Sequence, residues 1–348
     1  MNPYLLLTLM FGLGLGTLIT FISSHWFVAW MGLEMNTLAI IPILAQHHHP
    51  RATEATTKYF LAQAAAAAML LFASTTNAWL SGEWEIQQMA HPIPTTIIIL
   101  ALALKIGLAP LHAWLPEVLQ GLDLTSGLIL STWQKLAPIA LLLQINTPAP
   151  QLLISLGLLS ILVGGWGGLN QNQLRKILAY SSIAHLGWMM LVLQFAPSIT
   201  IMALLTYIIT TFSVFLIFKV NKATTINMLA TSRAKTPILT LLLPPLLLSL
   251  GGLPPLTGFM PKWLILQELT KQDLIIVATM AALSALLSLY FYLRLSYAMA
   301  MTMVPNTIIN TIPWRLPSRK PSLHIIVTAL MATCLLPLTP AMVALTTL

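Results

Sequence analysis

The sequence predicts an all-α integral membrane protein of about eleven transmembrane helices, arranged as two inverted five-helix repeats plus one further helix, with the fourth and ninth helices discontinuous. Three observations predict it. Only 7% of the 348 residues are charged and the mean hydropathy is +0.87, whereas a soluble domain of this size needs many more charges to cover its surface. Apolar stretches of spanning length, about 18–25 residues, follow one another along the chain. A Gly/Pro pattern inside one of them, Gly107-Leu108-Ala109-Pro110-Leu111-His112-Ala113-Trp114-Leu115-Pro116-Glu117, returns 145 residues later as Gly252-Leu253-Pro254-Pro255-Leu256-Thr257-Gly258-Phe259-Met260-Pro261-Lys262. Interrupted hydrophobic spans at matching places in two halves are the best sequence pointer to the ion site of a membrane transporter.

The spans fall at roughly 3–22, 25–46, 54–80, 94–122, 124–146, 150–170, 174–195, 197–219, 237–268, 272–303 and 322–345, with ends good to a few residues. In the first, Gly12 and Gly16 make a small-xxx-small surface for a neighbouring helix, a better reading than a dinucleotide fingerprint, because no strand precedes them. The loop that follows the second holds His47, His48 and His49 beside Pro50 and Arg51, and reads as solvated rather than as a metal site. Ala64 to Ala68 in the third offer another face for close approach, and Gly164, Gly165, Gly167 and Gly168 pack or cap the end of the sixth. Most of the ten tryptophans lie near span ends, with Trp133 and Trp188 interior. The single cysteine, Cys334, stands in the last span, so neither an internal disulfide nor a zinc spacing is available. No basic run fits nucleic-acid binding, and the N-terminal MNPYLLLTLM lacks the marks of a cleaved presequence.

Loop charges support this count. Arg51, Lys58, Arg175, Lys176, Lys219, Lys222, Arg233, Lys235, Arg315, Arg319 and Lys320 fall on one side, and Lys271 with Glu83, Glu85, Glu268 and Asp273 on the other. The positive-inside rule then places the N-terminus with the basic loops and the C-terminus opposite. The repeated motif lies on the fourth and ninth spans. Five is odd, so its two copies cross the bilayer in opposite directions, which gives repeats over 3–146 and 150–303 and a final helix at 322–345.

Several ionisable groups lie too deep for an oily span. Glu34 is nine residues into the second span, about 13 Å down. Lys105 is near the midplane of the fourth, Lys135 is mid-way along the fifth ahead of Pro138, and Lys262 follows the break in the ninth; His112 and His185 sit at similar depth. A buried lysine costs at least ~2.5–3.5 kcal/mol on insertion scales. Snorkelling accounts for Arg294 and Glu117, nearer the ends, but not for Lys105 or Lys135. These side chains carry exchangeable protons. Burial and a nearby carboxylate change the free energy of holding such a proton by about 4–7 kcal/mol, against roughly 4 kcal/mol to move one charge across about 180 mV. A Glu34–Lys105 switch is therefore strong enough to drive a proton uphill. The prolines of the two breaks cannot donate hydrogen bonds, and the carbonyls they free are tolerated at membrane depth where they line protein or water, the latter being what a proton wire needs.

At WMGLEMNTLAIIP around Glu34, LALKIGLAPLHAWLPEVLQG around Lys105, STWQKLAPI around Lys135, GGWGGLNQNQLRKILAYSSIAHLGWM around His185 and LSLGGLPPLTGFMPKW around Lys262, the chain resembles the antiporter-like subunits of respiratory complex I. The resemblance covers most of the chain. It implies that Glu34 pairs with Lys105, that Lys135 is a relay, that Lys262 is the exit-side lysine, and that His112 and His185 stand on a central hydrated axis. It implies redox chemistry elsewhere, with NADH, FMN, iron-sulfur clusters and ubiquinone on other subunits and no cofactor or metal in this chain. The expected partners are other membrane-arm subunits, neighbouring antiporter-like subunits among them, and lipids such as cardiolipin at the basic loops. The expected location is the mitochondrial inner membrane, N-terminus in the matrix and C-terminus in the intermembrane space. Bacterial members carry three more helices before the matched region, and the short N-terminus agrees with an animal mitochondrial form. The rival readings are a cation/proton antiporter subunit of the related multi-subunit type and a passive scaffold with frozen ion pairs.

Overall fold

A computed structural model describes residues 3–46, 49–89, 91–145, 150–232, 237–301, 323–341 and 344. Arg233, Lys235, Arg315, Arg319, Lys320, His47 and His48 lie outside the described residues. Among those described, the only β-type pairing is two isolated bridges, His25 with Glu85 and Gln173 with Thr225. The rest of the regular structure is helical: α1 (Pro3–Ile22), α2 (Trp26–Leu44), α3 (Pro50–Ser81), α4 (Pro92–Ile106), α5 (Trp114–Gly121), α6 (Leu124–Thr132), α7 (Leu136–Gln144), α8 (Pro150–Gly168), α9 (Leu174–Val192), α10 (Pro197–Asn221), α11 (Ile226–Thr231), α12 (Pro237–Gly251), α13 (Phe259–Lys271), α14 (Ile275–Ala300) and α15 (Leu323–Cys334). Among the described residues, seven helical stretches are long and apolar enough to cross a bilayer, Leu124–Gln144 (α6 and α7 together) among them. Both Gly/Pro motifs interrupt their helices, and this is why α4 and α12 are short.

Local chemistry sets these ends. Pro50, Pro92 and Pro197 open α3, α4 and α10, where a missing N–H costs nothing. His49 caps α3 by accepting the Arg51 N–H at 3.3 Å. Pro138 cannot donate to the Gln134 carbonyl, and between α6 and α7 the chain tightens into a 3₁₀ turn at Trp133–Lys135. The last predicted span is interrupted too. α15 stops at Cys334 and a 3₁₀ turn follows at Leu336–Leu338, because Pro337 leaves the Thr333 carbonyl without its donor. The short α11 lies within what the sequence reads as a basic loop.

The chain forms two compact units, Met1–Ser160 and Ile161–Leu348. In the first, α1 and α2 approach through glycine: a methyl on Gly12 would rest 3.5 Å from the Ala39 Cβ, and one on Gly16 would lie 2.9 Å from the Gly32 carbonyl oxygen, while Gly14 faces open space. α3 packs on α2 and α4, with Ala66 and Ala67 buried and the Trp30 indole donating to the Ala67 carbonyl at 3.2 Å. In the second unit, Gly164 lies against the α9 backbone at Tyr180 and Ala184, and Gly165 and Gly168 against Leu287 and Phe291 of α14, so these glycines pack rather than cap. The Thr257 hydroxyl of the second break donates to the Ala332 carbonyl of α15.

Arg294 has partners within the protein. Its guanidinium donates to the Leu169 carbonyl at 2.9 Å and to Asn172 Oδ1 at 3.0 Å, clipping α14 to the turn after α8. Arg294→Met is expected to cost about 1–2 kcal/mol, read as a lower thermal midpoint of the purified protein.

Candidate functional site

The first break begins where Gly107 takes a left-handed conformation, φ 86°, that a side chain would strain. Its N–H and that of Leu108 both donate to the Ala103 carbonyl at 2.9 Å. The peptide Ala109–Pro110 is cis. The next two α4 carbonyls are met by protein donors. The Trp114 indole donates to Leu104 O at 3.0 Å and the Gln63 amide to Lys105 O at 3.3 Å. Protein donors close the end of the half-helix, because buried carbonyls without partners are costly.

Lys105, one residue before the end of α4, is 6% exposed and its Nζ has no hydrogen-bond partner. It lines a closed cavity with Lys135, itself 2% exposed, and with Asn36, Thr37, Tyr59 and Gln134. About 10 Å³ of this space is open to water centres, room for a single molecule. Glu34 stands beside it. Its carboxylate accepts the Thr37 hydroxyl at 2.9 Å and lies within electrostatic reach of both Lys105 and Tyr59 without a direct ion pair to the lysine. Two amines and one carboxyl group around a small buried pocket form a coupled set, since charges interact several-fold more strongly there than in bulk water.

In the second unit, Gly252 ends α12 at φ 83°, and the Gly252 and Leu253 N–H groups both donate to the Leu248 carbonyl. Lys262, in the first turn of α13, reaches back across this break and donates to Gly251 O at 2.7 Å, with Leu250 O at 3.5 Å. A cation is favoured at the carbonyl end of a helix. Lys262 shares a small cavity with His185, Thr206, Tyr207, Thr210 and Ser249, and the His185 and Tyr207 rings stand 5.6 Å apart.

The structure thus places Lys105 and Lys135 on one cavity with Glu34 alongside, and His185 with Lys262 on another. His112 joins neither: it sits half-buried in the first break, and its Nδ1 lies 3.2 Å from the Pro110 carbonyl. Glu117 does not reach for headgroups alone but pairs with Lys58 at 2.9 Å, and Lys58 also meets Glu54 at 2.8 Å. Trp133 turns outward, 43% exposed, whereas Trp188 is buried. Sequence reasoning missed the uncharged members, Asn36, Thr37, Gln63, Gln134 and Tyr207. Thr37 was findable, three residues after Glu34 and so on its helical face. Among the described residues, no three His, Cys, Asp or Glu side chains are grouped to hold a metal ion.

Residues 23–288 match the family model described as NADH:quinone oxidoreductase/Mrp antiporter, transmembrane region. The chain belongs to this family. Residues 289–343 match a second model, NADH dehydrogenase subunit 2 C-terminus. Relatives named NADH-ubiquinone oxidoreductase chain 2 include one from Tetraodon nigroviridis, 71% identical over 345 residues covering 99% of each chain, and one from Salmo salar, 68% identical with full coverage of both. Among solved structures, a chain of respiratory complex I from Thermus thermophilus superposes with a TM-score of 0.86 at 27% identity, covering 99% of this chain and 80% of that one. A chain of the Mrp complex from Dietzia shares the fold, with a TM-score of 0.81 at 16% identity over 95% of this chain and 74% of its own. Family membership and the apolar helices together make this an integral membrane protein.

Proposed function

We propose that this family member is the proton-translocating membrane subunit of a mitochondrial NADH:ubiquinone oxidoreductase, moving protons through buried lysines while electron transfer proceeds on other subunits. The observation that carries it is the pair of buried lysines, Lys105 and Lys135, on one closed cavity beside a helix break, in a chain 71% identical to a relative of that name. Lysine binds and releases a proton, and burial makes its affinity sensitive to any nearby charge. Glu34 supplies such a charge, and its hydroxyl partner Thr37 lines the pocket itself.

In this reading α4 with α5 is one interrupted span, α12 with α13 another, and α6 with α7 a third, which brings the count to eleven. The repeats are 3–146 and 150–303, inverted with respect to each other, followed by a last span over 322–345. Glu34, Lys105 and Lys135 load and pass protons in the first repeat; His185 and Lys262 do so in the second. His112, at the first break, has a peripheral part. The chain lies in the inner membrane among other membrane-arm subunits, with its N-terminus in the matrix and cardiolipin headgroups at Arg175, Lys176, Lys219 and Lys222. NADH, FMN, iron-sulfur clusters and ubiquinone belong to its partners.

The test is proton translocation per NADH oxidised, measured on the purified complex in liposomes, with Lys105, Lys135 and Lys262 all replaced by Met. A lower ratio, or turnover lost along with pumping, supports the reading. An unchanged ratio at normal turnover overturns it in favour of a scaffold, and sodium exchange without NADH oxidation overturns it in favour of an antiporter.

A further inference from the structure

We propose that Asn36 is a positioning residue for proton transfer between Lys105 and Lys135: its side-chain amide orients the hydrogen-bonded link across the cavity, and Gly16 is the seat that holds the amide there. The inference rests on the reading of the lysines given above and names a residue which that reading does not use.

Asn36 lies on α2, two residues after Glu34, and is 2% exposed. Neither Oδ1 nor Nδ2 of its amide has a hydrogen-bond partner within the chain, and the same holds for Lys105 Nζ. All of these groups belong to residues that line the cavity shared with Lys135 and Gln134. Buried amides are nearly always partnered, so an amide with neither end partnered, on a residue that lines a pocket, marks a place where something polar is held. The space open to water centres, about 10 Å³, suits one water molecule.

The chemistry of two lysines requires such a group. A charged ammonium only donates and a neutral amine accepts, so passage between them needs an intermediary that accepts on one side and donates on the other. A single water does this: it takes a proton from one Nζ and gives one of its own to the other, so that no proton is lost or gained. The amide does not titrate. It fixes the orientation of the water, accepting at Oδ1 and donating from Nδ2.

Two further contacts hold the amide in register. The Gln134 side chain donates to the Asn36 backbone carbonyl at 3.3 Å, tying the 3₁₀ turn that carries Lys135 to this residue of α2. On the other side a methyl on Gly16 would fall 2.5 Å from Asn36 Oδ1 and 2.9 Å from its Cγ. Any residue larger than glycine at 16 must displace the amide or, against the Gly32 carbonyl oxygen at 2.9 Å, the α2 backbone that carries it, whereas a methyl on Gly14 meets nothing within 4 Å.

The assembled complex is purified with Asn36→Leu, which keeps the size and removes the hydrogen bonding, and with Asn36→Ser, which restores a donor and an acceptor. Coupled turnover and its solvent deuterium isotope effect are measured in liposomes. We expect Asn36→Leu to slow turnover at least about tenfold with a larger isotope effect, Asn36→Ser to recover most of the rate, Gly16→Ala to slow it and Gly14→Ala to leave it unchanged. Wild-type turnover in an assembled Asn36→Leu or Gly16→Ala complex overturns the proposal. So does a Ser variant as slow as Leu, or failure of both Asn36 variants to assemble, since either makes the amide structural. Lys105→Met run in parallel separates the two claims: if it is inactive while Asn36→Leu is normal, only the role of Asn36 falls, and if it is normal, the reading of the lysines falls first.

Discussion

A complex carrying Lys105→Met is expected to assemble at normal levels and to lose coupled turnover by at least about tenfold. The two halves of this expectation have separate causes. Lys105 is buried and its ammonium makes no hydrogen bond, so exchanging it for an apolar chain of similar length relieves an insertion cost of about 2.5–3.5 kcal/mol instead of adding one. What disappears is the exchangeable proton. Lys105→Arg sharpens the test, because a guanidinium keeps the charge but never releases its proton. If Lys105 is a proton carrier, Arg is as inactive as Met; if it is a static counter-charge for Glu34, Arg works and Met does not. Glu34→Gln should act more weakly than either, since its carboxylate acts on the lysine through space and not through a direct ion pair. Proton uptake per NADH, together with the amount of assembled complex on native gels, decides among these outcomes.

The largest structural effect is expected from Gly258→Ala. Gly258 precedes α13 with an ordinary φ of −67°, so its requirement for glycine is one of space. A methyl there would overlap the Ser249 carbonyl oxygen and lie 2.7 Å from the Ser249 carbonyl carbon. Both obstacles are backbone of α12, and no rotamer change relieves them, so the two half-helices must separate. The cost is about 3–5 kcal/mol, and the assembled complex should fall several-fold in abundance at constant transcript. Gly252→Ala offers a milder comparison. Its new methyl would meet the Lys262 Cδ at 2.9 Å, the flexible stem of a side chain, at a φ of 83°. About 1–2 kcal/mol is expected, along with a displaced Lys262 ammonium. In the first break Ala113 stands where Gly258 stands in the second, and it is exposed; the same motif thus carries a methyl where no backbone crosses it.

What the sequence disclosed and what it hid follow from this physics. Proline and glycine mark ends and breaks at Pro50, Pro92, Pro197, Gly107 and Gly252, because the constraint is written in the residue itself. Lys105, Lys135 and Lys262 are conspicuous because charge is expensive in an apolar run. Their partners are not. Lys262 binds two main-chain carbonyls, which every residue has, and Lys105 is surrounded by Asn36, Thr37, Gln63 and Gln134, which are unremarkable in a helix until three-dimensional packing brings them together. Distance in sequence hid the rest: Glu117 finds Lys58 from 59 residues away, and Arg294 finds Leu169 from 125. The turn at Trp133–Lys135 and the stop at Cys334 were present in Pro138 and Pro337, yet a proline alone does not say whether a helix bends, tightens or ends.

The lodging of Lys262 against Gly251 and Leu250 has a genetic corollary. Its counter-ion is peptide oxygen, conferred by where α12 stops and not by what any side chain is. No codon change can delete it. A saturation screen of the second unit would therefore register the amine directly but reach its acceptor only by moving the helix end, through a crowded glycine such as Gly252 or through insertion or deletion of one residue beside it.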